Sequence, residues 1–193
     1  MPRRRSKAGP LAAAVIVVLA AAVGVLAFLL LHSDTSSRTL TGSAGTHTAS
    51  ANTGFTLRFP KKWQAMSAQE LAAIPNHPLA VVRRKDGKGI VVVRAAKGAV
   101  GDAAAFAHQL DAEFRKKLPN DYRPVEAKLV VLPAGKAFLF SYVRTKKRTL
   151  NTLVIVPVPT RSYVFNAISV PGDKEVAGDI GTILKSFKPV SGG

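Results

Sequence analysis

Cysteine is absent from this chain of 193 residues. Its absence excludes a disulfide framework, a cysteine-ligated zinc or iron–sulfur site and a lipid-anchored cysteine. A chain without thiols suits an oxidising compartment, where an unpaired cysteine is a liability.

Acidic residues are scarce. The chain has 11 of them against 28 lysines and arginines, which gives a formal net charge of +17. From residue 55 onward, 23 basic and 10 acidic residues leave a net charge of +13. A field of that sign attracts anionic partners such as phosphate polymers, anionic lipid or nucleic acid.

Catalytic motifs are missing as well. The sequence has no GxSxG, HExxH, Walker or GxGxxG motif and no compelling pair of carboxylates. We therefore predict no catalytic residue, no cofactor and no metal site, and we expect that the protein is not an enzyme. His108 and Asp111 could place two metal ligands on one helix, but a solvated face with an ion pair between Asp111 and Arg115 is favoured. His77 is interpreted as a turn residue, and Trp63 as a core residue rather than an exposed ligand platform.

One long apolar run is present. Residues 11–31 include no charged or hydrogen-bonding side chain. At ~1.5 Å rise per residue, a helix of this length spans roughly 30 Å, the thickness of the hydrocarbon core of a bilayer. Four basic residues at positions 3–7 precede the run, so the positive-inside rule places the N-terminus in the cytoplasm.

A cleaved signal peptide is the alternative. Its apolar region is usually ~7–15 residues long and ends in small side chains. This run is longer and ends in Phe28 and three leucines. We therefore predict a cytoplasmic basic segment at 1–10, an uncleaved signal-anchor helix at 11–32, and a single-pass protein of the plasma membrane.

A Ser/Thr-rich segment follows at 33–54. Of its 22 residues, 11 are Ser or Thr. Such a composition cannot bury enough apolar surface to offset the entropy of ordering, which predicts a flexible tether. It would hold an extracytoplasmic domain, residues 55–189, close to the membrane. Residues 190–193 are predicted to be a disordered tail.

Strand patterns recur through residues 55–189. Phe55–Phe59 is apolar at every second position, as in a half-buried strand. Asp86-Gly87 separates the strand-like runs 79–84 and 89–95, which predicts a hairpin. The β-branched stretch 90–93 indicates a strand covered on both faces. Further strands are predicted at 128–132, 136–143, 149–156 and 162–170.

Three helices are predicted. Ser67 and Glu70 form a capping box for a short helix that ends before Pro75. The stretch 102–118 carries an apolar stripe at three- and four-residue spacing, and so does a last helix capped by Asp173. Their stripes are Ala103, Phe106, Leu110, Phe114 and Leu118, and Val176, Ile180, Ile183, Leu184 and Phe187. The short connections predict an α+β fold in which the two long helices pack on an antiparallel sheet.

Both ends of this region resemble a known fold. The opening, Gly54-Phe-Thr-Leu-Arg-Phe-Pro60-Lys-Lys-Trp63, resembles the first strand and Pro-x-x-Trp of the PsbP-like superfamily, which includes bacterial envelope domains. Tyr163–Ser169 and Ile183–Phe187 are similar to its last strand and closing helix. The resemblance covers residues 54–189 and implies a PsbP-like α/β sandwich. Most members act by binding rather than by catalysis, and because they bind unrelated partners no binding residue is carried over.

Basic clusters are the candidate binding sites. Two lie at predicted hairpin tips, and we expect the second to be exposed, since four like charges in five residues cannot be buried without partners. A third, Arg115–Lys117, has a structural explanation because cations complement a helix C-terminus. The candidate residues for an anionic partner are Arg83, Arg84, Lys85 and Lys88 in the first cluster and Arg144, Lys146, Lys147 and Arg148 in the second.

These features predict a membrane-anchored, extracytoplasmic binding or assembly module of the bacterial cell envelope, with a protein or an anionic envelope component as its partner. An electrostatic binder of anionic polymer or of a lipid surface is the alternative, and an enzyme of unknown class a second one. Nucleic acid is disfavoured as a partner, because the domain would lie outside the cell and its aromatic residues mostly alternate into strand cores.

Overall fold

The computed structural model describes residues 46–48, 55–76, 78–97, 103–158 and 161–189. The predicted cytoplasmic segment, the signal-anchor helix, His77 and residues 190–193 lie outside these ranges. Of the predicted tether, only Thr46–Thr48 are described, and they form a strand. No helix within the described ranges is both long enough and apolar enough to cross a bilayer.

Strands and helices follow one another in nearly the predicted order. The strands of the described residues are β1 (Thr46–Thr48), β2 (Phe55–Arg58), β3 (Trp63–Ala65), β4 (Ala80–Arg84), β5 (Gly89–Lys97), β6 (Tyr122–Leu132), β7 (Gly135–Arg144), β8 (Thr149–Val158), β9 (Arg161–Ser169) and β10 (Lys188–Pro189). The helices are α1 (Ala68–Ala72), α2 (Ala103–Lys117) and α3 (Lys174–Ser186).

The strands form two antiparallel sheets. The main sheet has seven strands in the order β3-β4-β5-β9-β8-β7-β6, and a small sheet has the order β1-β2-β10. Each neighbouring pair is antiparallel. The predicted α+β class is therefore confirmed. Sequence periodicity missed the first half of β6, which begins at Tyr122 rather than at the predicted Lys128.

Helices cover both faces of the main sheet. Along β8, Val154 and Val156 pack in the cluster that contains the apolar stripe of α3. Leu153 and Ile155 point the other way, into a cluster with the α2 side chains Leu110 and Phe114. Successive side chains of a strand alternate between faces, so α2 and α3 lie on opposite sides of the sheet. The region of α1 adds a third cluster around Val81 and Val92.

The predicted caps are confirmed. Ser67 Oγ accepts from the backbone N–H of Glu70, and the Glu70 carboxylate accepts from the backbone N–H of Ser67 at 2.7 Å. Asp173 accepts from the backbone N–H of Val176 at 3.0 Å and begins α3. These side chains satisfy donors that a helix N-terminus leaves without intrahelical partners.

Gly89 marks a close approach between β5, β3 and α3. A Cβ at this position would lie 2.7 Å from Trp63 Cη2 and 2.8 Å from Val176 Cγ1. We expect Gly89→Ala to lower the free energy of unfolding by about 1–3 kcal/mol, as overpacking does. Thermal unfolding of the variant measures the loss.

Gly178 and Gly181 supply the matched controls. Both lie within α3, and nothing stands within 4 Å of a Cβ added to either. Alanine there is expected to raise stability by roughly 0.5–1 kcal/mol, since glycine is a poor helix former. Equal effects at Gly89 and Gly178 would contradict the close approach.

Candidate binding surface at one end of the sheet

The two predicted hairpin tips lie at the same end of the main sheet. Gly89 begins β5 opposite Ser169, the last residue of β9, and Ser169 also pairs with Leu150 near the start of β8. The turn between β4 and β5 and the turn between β7 and β8 are thus three strand spacings apart, ~14 Å at about 4.8 Å per strand. Both turns form one surface, here called the basic end.

Five of the eight predicted site residues are exposed there. Lys85 and Lys88 flank the first turn, and Lys146, Lys147 and Arg148 form the second. No ion pair to any of these five side chains occurs among the residues that the structure describes.

Arg84 and Arg144 are buried, unlike the other predicted site residues. Their exposed fractions are only 5% and 7%. The prediction that the second cluster is exposed is therefore wrong for Arg144. The guanidinium groups of both arginines are neutralised by carboxylates distant in sequence. Arg83 is half-buried and lies 3.6 Å from Glu70 Oε1, on the helix-covered part of β4.

Arg144 is held by Asp121 in the turn between α2 and β6. Its Nε donates to Asp121 Oδ2 at 2.6 Å, and Nη2 contacts the same oxygen. The other oxygen of Asp121 accepts from the backbone N–H of Lys146 at 2.7 Å. Burial opposes the charge of Asp121, but these hydrogen bonds outweigh it and lower the pKa of the carboxyl group. One buried carboxylate thereby fixes the turn that displays Lys146–Arg148.

Arg84 is held by three carboxylates. Its Nη2 lies 2.9 Å from Glu175 Oε1, and its Nε lies 3.4 Å from Asp86 and 4.0 Å from Asp179. Asp179 also accepts from Trp63 Nε1 at 2.8 Å, and Trp63 is buried, which confirms its predicted core role. Burial disfavours the charge of Arg84, but its acidic neighbours outweigh that penalty and raise the pKa of the guanidinium.

The backbone of both turns is tightly constrained. Gly87 has φ of 76° and Arg148 has φ of 52°, a region that favours glycine. The backbone N–H of Lys88 donates to Asp86 Oδ1 at 3.1 Å, and that of Lys85 to the carbonyl of Lys62 at 2.9 Å. The lysines therefore extend from ordered turns.

Two of the three cations in the third cluster form ion pairs within α2, and the predicted pair between Asp111 and Arg115 is confirmed. Asp111 accepts from Arg115 Nε at 2.8 Å, and Glu113 lies 3.0 Å from Lys117 Nζ. Asp111 also accepts from the Tyr122 hydroxyl at 2.7 Å. Burial and this carboxylate raise the pKa of Tyr122, so its hydroxyl acts as a hydrogen-bond donor. His108 is exposed on the same helix, and no group of three metal-ligating side chains occurs in the described part of the chain.

A shallow cleft borders this cluster. Its volume is about 290 Å³, and its lining residues are Arg115, Leu118, Pro119, Asn120 and Tyr122. No acidic side chain is among these five, and Asp121, between Asn120 and Tyr122 in the chain, is paired with Arg144. The one charged side chain of its lining, Arg115, is paired with Asp111, so the cleft adds no unpaired charge to the basic end.

Sequence reasoning missed two features. Arg94 in β5 is only 4% exposed, and its Nε and Nη2 have no hydrogen-bond partner among the described residues. Burial lowers its pKa. An arginine inside a β-branched run was the available signal. The second feature is β6, whose position at the edge of the sheet depends on strand order and cannot be inferred from a local pattern.

Comparisons with known proteins identify the fold. No protein-family model matches the chain, and no curated protein matches it in sequence. In structure it is similar to cyanobacterial PsbP (CyanoP) from Synechocystis sp. PCC 6803, with a TM-score of 0.56 and 12% identity over 80% of this chain and 98% of that chain.

Two further structures are less similar. The Ran-binding protein Mog1p of Saccharomyces cerevisiae has a TM-score of 0.49 and 9% identity, over 77% of this chain and 97% of its own. LpqN of Mycobacterium tuberculosis, described as involved in cell envelope biogenesis, has a TM-score of 0.46 and 13% identity, over 70% and 83%. The likeness to CyanoP is sufficient to establish that this chain has the PsbP-like fold predicted from its sequence.

Proposed function

We propose that the protein is a membrane-anchored, extracytoplasmic binding module of the cell envelope that holds an anionic partner at its basic end and has no catalytic role. The observation that carries this proposal is the charge balance of the surface. Lys85, Lys88, Lys146, Lys147 and Arg148 extend from two ordered turns at one end of the sheet.

The carboxylates of the domain are already engaged. Of the ten acidic residues from residue 55 onward, Asp102 lies outside the described ranges. Each of the other nine accepts a hydrogen bond or forms an ion pair: Glu70, Asp86, Asp111, Glu113, Asp121, Glu126, Asp173, Glu175 and Asp179. An anion that neutralises the basic end must therefore come from a partner.

The start of β2 lies far from the basic end. Phe55 begins β2, and its ring lies 5.5 Å from that of Tyr163. Tyr163 is six residues before Ser169 in β9, which places the start of β2 roughly 20 Å from the basic end at about 3.4 Å per residue. If residues 11–32 anchor the chain and residues 33–54 form a flexible tether, the basic end is free to meet an anionic polymer of the envelope or an anionic lipid surface, and both are candidate partners.

A direct test measures binding of the full-length protein, in neutral detergent micelles, to inorganic polyphosphate. We expect saturable binding that weakens about 50-fold between 50 and 200 mM salt, the loss that follows from release of counterions at roughly four phosphate contacts. Replacing Lys85, Lys88, Lys146 and Lys147 with glutamine should remove most of this binding and most of its salt dependence.

The matched control changes the same number of charges at the opposite end. Arg58, Lys136, Lys185 and Lys188 are all exposed and lie away from the two turns. Their replacement with glutamine should reduce binding much less. Equal losses from the two quadruple variants would show attraction by net charge alone and would overturn the proposed site.

A further inference from the structure

Among the described residues, the main sheet has an open edge at β6. β6 is an edge strand of 11 residues that pairs, within the described ranges, with β7 alone. An edge strand directs every second N–H and C=O away from the sheet, which is a template for another strand. We infer that residues 126–132 of β6 bind an extended, net-acidic segment of another polypeptide by adding it to the sheet as an eighth strand.

The two edges of the sheet are built differently. β3, at one edge, has only three residues, a common protection against unwanted pairing. The first half of β6 is protected by Pro124 and by a register shift between Pro124 and Glu126. Beyond Glu126 the pairing with β7 is regular as far as Leu132. That half presents seven consecutive residues, roughly 23 Å of strand.

Apolar side chains are exposed along this open half. Leu129 and Val131 have exposed fractions of 64% and 83%, and Ala127 is exposed on the same face. Leu129 is opposite Phe138 in β7, which packs under α2. The row therefore continues the α2 face of the sheet outward. Alternate side chains of an added strand would bury it, as in β-strand addition.

The charges near this edge indicate which kind of segment would bind to it. Arg123 on β6 and Lys136 on β7 are exposed and form no ion pair among the described residues, whereas Glu126, the one carboxylate of β6, is already paired with Lys128. The favoured segment therefore alternates apolar and acidic residues. A second copy of this chain is disfavoured, because it would bring another net charge of +13 from residue 55 onward against the same edge.

The probe for this inference is a fluorescent, end-capped heptapeptide, Asp-Val-Glu-Val-Asp-Val-Glu. The full-length protein in neutral micelles is titrated against it at 150 mM salt and followed by fluorescence anisotropy. We expect binding, together with slowed hydrogen exchange in residues 126–132. The combined change Leu129→Thr and Val131→Thr, which keeps strand propensity, should weaken binding by about tenfold or more. Val170→Thr, at an exposed valine outside the sheet, should change it by less than about twofold.

Backbone pairing is tested on the probe itself. One peptide is N-methylated at its odd positions and another at its even positions. A strand pairs through one edge, so one of the two should lose binding and the other should keep it. If both bind like the parent, or if protection appears at residues 85–88 and 145–148 instead, the contact is electrostatic and the inference is wrong. Protection of residues 126–132 in a dimer without peptide would assign the edge to a second copy.

This surface is independent of the basic end. The quadruple glutamine variant at Lys85, Lys88, Lys146 and Lys147 should lose polyphosphate binding and keep peptide binding within about threefold at 150 mM salt, where charges farther than ~8 Å are largely screened. Failure of the peptide assay with intact polyphosphate binding would overturn the strand inference alone.

Discussion

Replacing Phe114 with alanine is expected to lower the free energy of unfolding by roughly 3–5 kcal/mol, the usual loss for a buried phenylalanine. Phe114 is buried on the sheet-facing side of α2. Its ring centroid lies 4.6 Å from that of Tyr142, 5.7 Å from Tyr122 and 6.0 Å from Phe140. Truncation would remove the contacts that hold α2 on the sheet. Urea unfolding of a fragment of residues 46–190, which contains the described elements, measures the loss.

His108→Ala provides the control on the same helix. His108 is exposed, and its removal should change stability by less than about 0.5 kcal/mol, as surface substitutions usually do. Comparable losses from the two variants would contradict the assignment of the buried face of α2. The same fragment also tests whether the domain folds cooperatively without residues 1–45.

Periodicity predicted this buried face because the signal is local. Leu110 and Phe114 are four residues apart, and both are buried in the cluster beneath α2. The hairpin at Gly87 and the helix cap at Asp173 are local in the same sense, since each depends on a few adjacent residues. Such features can be predicted from the sequence because the residues that determine them are close together in the chain.

The composition of the candidate site could not be predicted in this way, because it depends on contacts between residues far apart in the sequence. Arg144 meets Asp121, which is 23 residues away, and Arg84 meets Glu175, which is 91 residues away. A count of charges along the chain treats all members of a cluster as equivalent. The fold separates them: the guanidinium groups of two arginines are buried against carboxylates, and five neighbours remain exposed. The convergence of two turns at one end likewise follows from the strand order and not from their sequence spacing.

Arg144→Ala should therefore act on stability and not only on binding. The pair with Asp121 is buried, and removing one partner leaves an uncompensated carboxylate, a loss of about 3–5 kcal/mol. Lys147→Ala, three positions further along the same turn, should change stability by less than about 0.5 kcal/mol. A loss below ~1 kcal/mol for Arg144→Ala would mean that the pair contributes no more than an exposed ion pair.

The pH dependence of stability provides an independent test of the same pair. The pKa of Asp121 is lowered in the fold, so its ionised form is favoured there relative to the unfolded chain, where an aspartate has a pKa of about 3.9. Its contribution is complete above that value and is lost as the pH falls through the lower folded pKa. Because other carboxylates titrate in this range, the informative quantity is the difference in unfolding free energy between the wild type and Asp121→Asn. That difference should be large and constant from pH 5 to 7 and should shrink below about pH 4. A difference that grows on acidification would mean that Asp121 is destabilised as a charged group and that Arg144 does not compensate it.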